Sequence, residues 1–204
     1  MNSKSIIRPD LEMDAQRAGY LFVAGVDEVG RGCLAGPVVA GAVILDLSKP
    51  LPQGLNDSKK ISKKHRERIA AELAECALSI STGQIEADEI DRINILEATK
   101  KAMIKAIDNL SPLPDFLLID ALELKNVYIP QKGIIRGDSI SPSIAAASII
   151  AKVYRDNLMK DLAGVYPGYG FENHAGYGTK AHFEALRKLG ATKIHRRSFK
   201  GVLN

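Results

Sequence analysis

The sequence predicts a mixed α/β domain with an opening antiparallel hairpin and helices on the sheet faces, and three features carry that reading. Residues 21–27 and 38–46 are two apolar runs rich in β-branched residues, joined by a turn containing Gly30, Gly32, Gly36 and Pro37. Residues 116–119 form a short, wholly apolar run of the kind covered on both faces. Residues 142–150 carry Ala145, Ala146, Ala147 and Ser148 beside Ile144, Ile149 and Ile150, a helix apolar most of the way round that belongs deep in the core.

Each element has its own signal. After the hairpin, a turn at residues 55–60 (Leu-Asn-Asp-Ser-Lys-Lys) leads into a basic helix from about Ser62 to Ala77, and residues 78–85 read as a third strand. From Ala87 to Leu110, Ile90, Ile93, Leu96, Ala98, Met103, Ile104 and Ile107 recur with a broadly helical period, predicting one helix that Pro112 and Pro114 stop. The strand at 116–119 ends in Asp120. A further extended piece at 127–135 runs into Arg136-Gly137-Asp138. Ser141 is the expected N-cap of the small-residue helix, with Pro142 at its first position. Residues 164–178 read as a glycine- and tyrosine-rich loop and 179–189 as a last helix.

At 204 residues the chain suits a single domain, 1–204, with a core over about 20–190 and a tail over about 190–204. A chain of this length can bury roughly 70% of its unfolded surface, so no disulfide or structural metal is required. Cys33 and Cys76 have no metal-ligand spacing, and the charged N-terminus and lack of any membrane-length apolar run predict a soluble, cytoplasmic protein with no membrane partner. Net charge is only +4, but bases crowd residues 59–68 (Lys59, Lys60, Lys63, Lys64, Arg66, Arg68) and 180–200. Such clusters suit a phosphate backbone, although lysine-rich helix faces also serve solubility. Arg196 and Arg197 either contact nucleic acid or dock the last segment.

The chemistry concentrates in Val26-Asp27-Glu28-Val29-Gly30-Arg31-Gly32. Carboxylates at the tip of a buried strand are costly unless neutralised, and a divalent cation does this commonly. Taken alone, an acid pair before a glycine turn is more often a solvated strand end. A second rival is a dinucleotide fingerprint at Gly30, Gly32 and Ala35, but that motif must open a helix, and here a strand follows Pro37. Two further acids share the setting, since Asp120 leads straight out of an apolar strand and Asp138 lies between a strand and a buried helix. Together the four read as a cation site with hard oxygen ligands, which suits Mg²⁺ or Mn²⁺ rather than zinc. His65, His174, His182 and His195 are scattered, and surface roles are expected for most of them. Neither a P-loop nor a nucleophile elbow is present.

Nearly the whole chain, from about Val23 to Phe199, resembles bacterial ribonuclease HII, the type 2 ribonuclease H family. The resemblance rests on the ordered blocks at residues 25–32, 34–39, 55–60, 93–96, 137–139, 143–152 and 176–179, and on His195-Arg196-Arg197-Ser198-Phe199. It departs at Cys33, where proline is expected, at Ile140 and Pro142, and at Asn173-His174-Ala175, which is less basic than the family pattern. The resemblance implies a ribonuclease H-like mixed sheet flanked by helices, with a short C-terminal helical extension. It also implies cleavage of RNA in RNA–DNA hybrids and incision at single ribonucleotides in duplex DNA by a protein expected to be a monomer. The family's catalytic, metal-binding quartet falls on Asp27, Glu28, Asp120 and Asp138.

Two divalent ions roughly 3.5–4 Å apart can supply what phosphodiester hydrolysis needs: a nucleophilic water, in-line geometry and a stabilised leaving oxygen. Asp27 is expected to bridge both, with Glu28 and Asp120 completing one and Asp138 the other. Adjacent strand residues face opposite ways, so Glu28 is expected to contribute through a turn distortion or its carbonyl. Gly30, Arg31 and Gly32 are the expected readers of the ribose hydroxyl. Tyr177 resembles the family tyrosine that packs on the sugar 3′ of the ribonucleotide. Lys59, Lys60, Lys152 and Lys180 are the phosphate-contact candidates. Rival functions are a general carboxylate-metal DNA nuclease of the same fold and a catalytically dead hybrid-binding module.

Overall fold

The computed structural model describes residues 7–56, 58 and 61–203. Its centre is a five-stranded sheet in the order β3-β2-β1-β4-β5. Strands β1 (Val23–Val29), β2 (Val38–Leu45) and β3 (Ala77–Ile85) form an antiparallel meander, while β4 (Phe116–Asp120) and β5 (Gln131–Ile134) run parallel to β1. The first expected strand starts two residues later than predicted. Leu21 and Phe22 instead donate their amides to the Asp115 carboxylate, at 2.7 and 2.8 Å, ahead of the ladder.

Two helices cover the two faces, and each is seated on glycine. Helix α5 (Pro142–Val165) crosses β1 and β2 so closely that a Cβ on Gly25 would clash with the Ser143 backbone, and one on Gly41 with the Ala147 carbonyl. Ala145, Ala146 and Ala147 are fully buried there, so the small-residue run exists because no larger side chain fits between helix and sheet. Ser141 caps α5 by accepting from Ile144 N, with Pro142 in the first turn, as predicted. On the opposite face α4 (Ile95–Asp108) packs over Gly83, and Met103, Ile107, Val26 and Ile44 share its core. Helix α2 (Lys63–Cys76) completes the α5 side through Ile69 and Leu73.

Several boundaries differ from the sequence reading. The helix predicted over 87–110 is two, α3 (Ala87–Ile93) and α4, because Asn94 takes φ 68° and its side chain accepts from Leu96 N and Glu97 N, starting a new helix. The extended piece predicted over 127–135 narrows to β5, since the Gln131 side chain, accepting from Leu124 N and donating to Leu124 O, closes the preceding residues into a turn. The loop over 164–178 contains the one-turn helix α6 (Phe171–His174), and α7 (Lys180–Leu189) follows on its Thr179 cap. Both helices lie within the core expected over about 20–190. Residues 190–203 are turns and isolated bridges rather than helix. Helix α1 (Asp10–Arg17), which the sequence did not announce, sends the buried Glu12 carboxylate to accept from Ser143 N and from the Ser141 and Ser143 hydroxyls at the start of α5.

Candidate active site

The four strand-end acids occupy one end of β1 and β4 and the start of α5. Asp27 and Gly25 lie two residues apart on β1, so both face α5, and Asp27 is 5% exposed. Its Oδ1 accepts from Glu28 N at 2.7 Å, and Ser148 of α5 hydrogen-bonds its side chain. Ser148 in turn lies 2.9 Å (Oγ to Oγ) from Ser58, which ties the turn after β2 to this carboxylate. Burial, and then the neighbouring Glu28 and Asp120 carboxylates, push the Asp27 carboxyl well above its ordinary range, outweighing those hydrogen bonds. A buried acid pushed up by two other acids is a place where a cation would be stabilised.

Asp120 ends β4, where Ile119 pairs with Val26, the residue before Asp27. Its Oδ1 accepts from Gly137 N at 2.7 Å. Gly137 packs tightly there, since a Cβ would lie 2.5 Å from Ile144 Cδ1 and that side chain would have to shift. Asp138 is the next residue, within the short 3₁₀ turn Gly137–Ser139 that leads into α5. The Asp120–Gly137 bond therefore draws Asp138 toward the same sheet end. Left-handed Ala121 (φ 50°) and Arg136 (φ 58°) flank this junction. Glu28 Oε1 lies 3.5 Å from Arg31 Nη1.

The donor set fits a divalent cation in kind, being all carboxylate oxygen with three members electrostatically coupled. Among the described residues, no three His, Cys, Asp or Glu side chains are grouped closely enough to hold a metal ion as they stand.

Beyond the acids, two buried arginines shape the Gly-Arg-Gly turn: Arg155, which was not picked out in the sequence, and Arg196, whose role the sequence left open. Arg155 donates to Pro37 O (2.9 Å), Ala35 O (3.1 Å) and Ala175 O (2.8 Å), and Gly30, at φ 90°, leaves room for its guanidinium. Arg196 donates twice to Gly36 O (3.0 and 2.9 Å) and once to Arg31 O (2.8 Å). Both are fully buried, which resolves the role of Arg196: it docks the last segment instead of meeting solvent. Asp91 anchors the same segment by accepting from Arg197 N and Ser198 N, at 2.8 and 3.0 Å.

Tyr177 lies on the far side of that turn. It forms an isolated bridge with Cys33, the residue after Gly32, and its ring sits 5.8 Å from Lys152 Nζ and 6.0 Å from Arg155 Cζ. Tyr177 and Lys152 also line a cleft of about 430 Å³ with Lys63, Arg66, Asp156 and His174. Lys152 is paired there with Asp156 at 2.7 Å. Lys180 stands apart, almost fully exposed and 3.9 Å from Glu184. Lys59 and Lys60 lie outside the described residues. His65 is exposed, but the expectation of surface roles for most of the histidines is corrected: His182 and His195 are buried, and the half-buried His174 stacks on His182 with ring centroids 4.7 Å apart. Their signal was a fold-level contact, invisible to spacing.

A mixed five-stranded sheet with acids at one end of its central parallel pair defines a ribonuclease H-type nuclease. The sequence profile of the family described as Ribonuclease HII matches residues 24–202. A ribonuclease HII from Desulfitobacterium hafniense (strain Y51) is 56% identical over 184 residues, covering 90% of this chain and 70% of that protein. Among solved structures, ribonuclease H2 from Pyrococcus horikoshii OT3 superposes with TM-score 0.74 at 26% identity, covering 89% of this chain and 95% of that one. RNase HII from Archaeoglobus fulgidus, solved in complex with PCNA, gives 0.76 at 26% identity, covering 88% and 96%. The chain belongs to the ribonuclease HII family. It is a metal-dependent endonuclease, a hydrolase of phosphodiester bonds from a family that acts on RNA–DNA hybrids. Among the described residues no helix is long and apolar enough to cross a membrane.

Proposed function

We propose that this chain cleaves the RNA strand of RNA–DNA hybrids and also incises 5′ of a single ribonucleotide in duplex DNA, acting as a cytoplasmic monomer. The observation that carries this reading is the buried Asp27, coupled to Glu28 and Asp120, three residues from a glycine turn braced by buried arginines. Two Mg²⁺ or Mn²⁺ ions held by Asp27, Glu28, Asp120 and Asp138 would activate the attacking water and stabilise the leaving oxygen.

The chain's own residues supply the rest. Asp27 is held in place by Glu28 N and Ser148, and Asp120 by Gly137 N, so neither carboxylate has to be ordered when substrate arrives. Gly30-Arg31-Gly32 presents main-chain groups next to those acids, and Gly32 has open space where a Cβ would stand. Backbone can therefore approach the ribose 2′-hydroxyl, the group that separates RNA from DNA. Tyr177 packs on the sugar 3′ of the ribonucleotide. Lys152, with Lys63 and Arg66 along the cleft, receives phosphates downstream of it, and Lys59, Lys60 and Lys180 add to the basic approach.

A DNA duplex carrying one ribonucleotide tests this reading, beside an all-DNA control, in Mg²⁺, in Mn²⁺ and with chelator. The expected result is a nick 5′ of the ribonucleotide that requires metal, with the control intact. Cutting of the control identifies a general nuclease, and binding without cutting a dead module. Tyr177→Ala should lower single-ribonucleotide incision by about tenfold or more, and cleavage of continuous hybrid by much less. Equal losses on both substrates would remove Tyr177 from sugar reading.

A further inference from the structure

Three imidazoles from separate elements meet under Tyr177. His174 ends α6, His182 sits in the first turn of α7 and His195 lies in the last segment. Phe171 packs among them, with centroids 5.9, 5.4 and 5.7 Å from the three rings, and Tyr169 closes the His195 side at 5.1 Å. Buried imidazoles need partners for both nitrogens, and here all six have one. His174 Nδ1 accepts from Gly176 N at 3.2 Å, so its proton is on Nε2, which donates to Tyr169 O at 2.8 Å. His195 Nδ1 accepts from Thr192 N at 3.0 Å and lies 2.8 Å from the Thr192 hydroxyl, so its proton is also on Nε2. That proton faces His182 Nε2 at 3.1 Å, which must accept, and leaves His182 Nδ1–H to donate to Tyr177 O at 3.0 Å. One set of neutral tautomers satisfies every bond, and the backbone partners assign it.

The relay ends on the residue placed against the substrate sugar. Tyr177 N donates to His174 O at 2.9 Å while its carbonyl accepts from His182 and from Thr179 N, so both faces of its peptide backbone are held by the imidazole-bearing segment. The same segment is laced to the loop beyond Gly32 through the Cys33–Tyr177 and Ala35–His195 bridges and the Leu34 N to Gly176 O bond of 2.8 Å. We propose that His195 and His182 are positioning residues for substrate selectivity, a neutral hydrogen-bond relay that sets where Tyr177 stands relative to the Gly30-Arg31-Gly32 turn. A shift of Tyr177 by a fraction of a hydrogen-bond length moves its ring off the 3′ sugar, which a single-ribonucleotide duplex requires more than a continuous hybrid does. Burial holds both imidazoles below their ordinary proton affinity, with His195 lowered to about 4, which keeps the relay neutral at physiological pH.

The inference rests on the sugar-reading role of Tyr177, so the test runs Tyr177→Ala alongside. For the full chain, kcat/KM is measured on a duplex with one ribonucleotide and on a continuous RNA–DNA hybrid, and the ratio of the two is followed. His182→Leu and His195→Phe, which retains a ring in the stack, should each lower that ratio about tenfold. His182→Asn, whose amide can donate where Nδ1 does, should restore most of it. Imidazole ¹⁵N resonances of His182 should show the proton on Nδ1. Equal losses on both substrates in variants that melt cooperatively, failure of the Asn variant to recover the ratio, or a proton on Nε2 each overturn the relay. If His182→Leu does not fold, His195→Phe and His182→Asn decide alone. A Tyr177→Ala ratio equal to wild type removes the sugar-reading role and the relay with it. A lowered Tyr177→Ala ratio with unchanged histidine variants removes the relay only.

Discussion

Asp27→Asn is expected to lower turnover by about a thousandfold or more while raising the stability of the protein measured in chelator. Both effects have one cause. Asp27 is buried on the α5 face of β1 beside Glu28 and Asp120, and burial followed by those two charges raises its pKa well above the ordinary 3.8. A group whose folded pKa exceeds its unfolded value holds its proton more tightly in the native state. Its contribution to stability is therefore fully present below the unfolded pKa and is lost as pH rises toward the folded pKa. At neutral pH the native carboxylate is either ionised at a cost or protonated at a cost, and Asn removes both. The measurement is a pair of melting curves in chelator across pH 4–8, with cleavage assays in Mg²⁺. The wild-type midpoint should fall relative to Asp27→Asn as pH rises, and added Mg²⁺ or Mn²⁺ should narrow the gap. A variant no more stable than wild type at neutral pH would mean that the acids are not mutually repelling, and retained turnover would remove Asp27 from the chemistry.

Arg196→Ala should destabilise the fold by about 3–5 kcal/mol, a large part of what a domain of this size has available. The guanidinium is fully buried, has a proton affinity pulled down by burial to about 10, and so is still charged at neutral pH. Its hydrogen bonds go to the carbonyls of Arg31 and Gly36, and Phe199 lies 5.1 Å from its centre. Truncation leaves those carbonyls without their donor and a cavity between the last segment and the glycine turn. Arg196→Lys should recover little, because a single ammonium cannot reproduce the forked contacts. The adjacent, exposed Arg197→Ala serves as control and should stay within about 0.5 kcal/mol of wild type. Urea unfolding of the three variants decides the matter; an Arg196→Ala loss under about 1 kcal/mol would show that the turn holds its shape without the clamp.

The contrast between these two residues shows what a linear sequence makes legible. Asp27, Glu28 and Asp120 stand out because they end apolar runs, and Asp138 because it lies between a strand and a buried helix, and strand ends of one sheet converge by geometry. Arg196 sits in an Arg-Arg pair that reads equally well as solvent-exposed, and nothing local distinguishes the buried member from its neighbour. The same holds for Arg155 within α5 and for the histidines, whose spacings of eight and thirteen residues carry no periodic meaning. The break at Asn94 was hidden because the apolar period continues through it; one left-handed residue with its own cap redirects the axis without altering the pattern.

Local chemistry and periodicity by themselves determined the mixed α/β class, the hairpin, the capped small-residue helix and the acids at the strand tips. Those properties depend on residues within a few positions of one another, where side-chain alternation, turn residues and caps act directly. Only the tertiary structure decided that Ser58 reaches Ser148 and through it Asp27, that Glu12 of α1 joins the start of α5, and that two buried arginines and three imidazoles brace Gly30-Arg31-Gly32 and Tyr177. The partners in those contacts are separated by up to 165 positions, as between Arg196 and Arg31. Their selection is set by which buried carbonyls and carboxylates remain unsatisfied once the sheet and its two covering helices have closed.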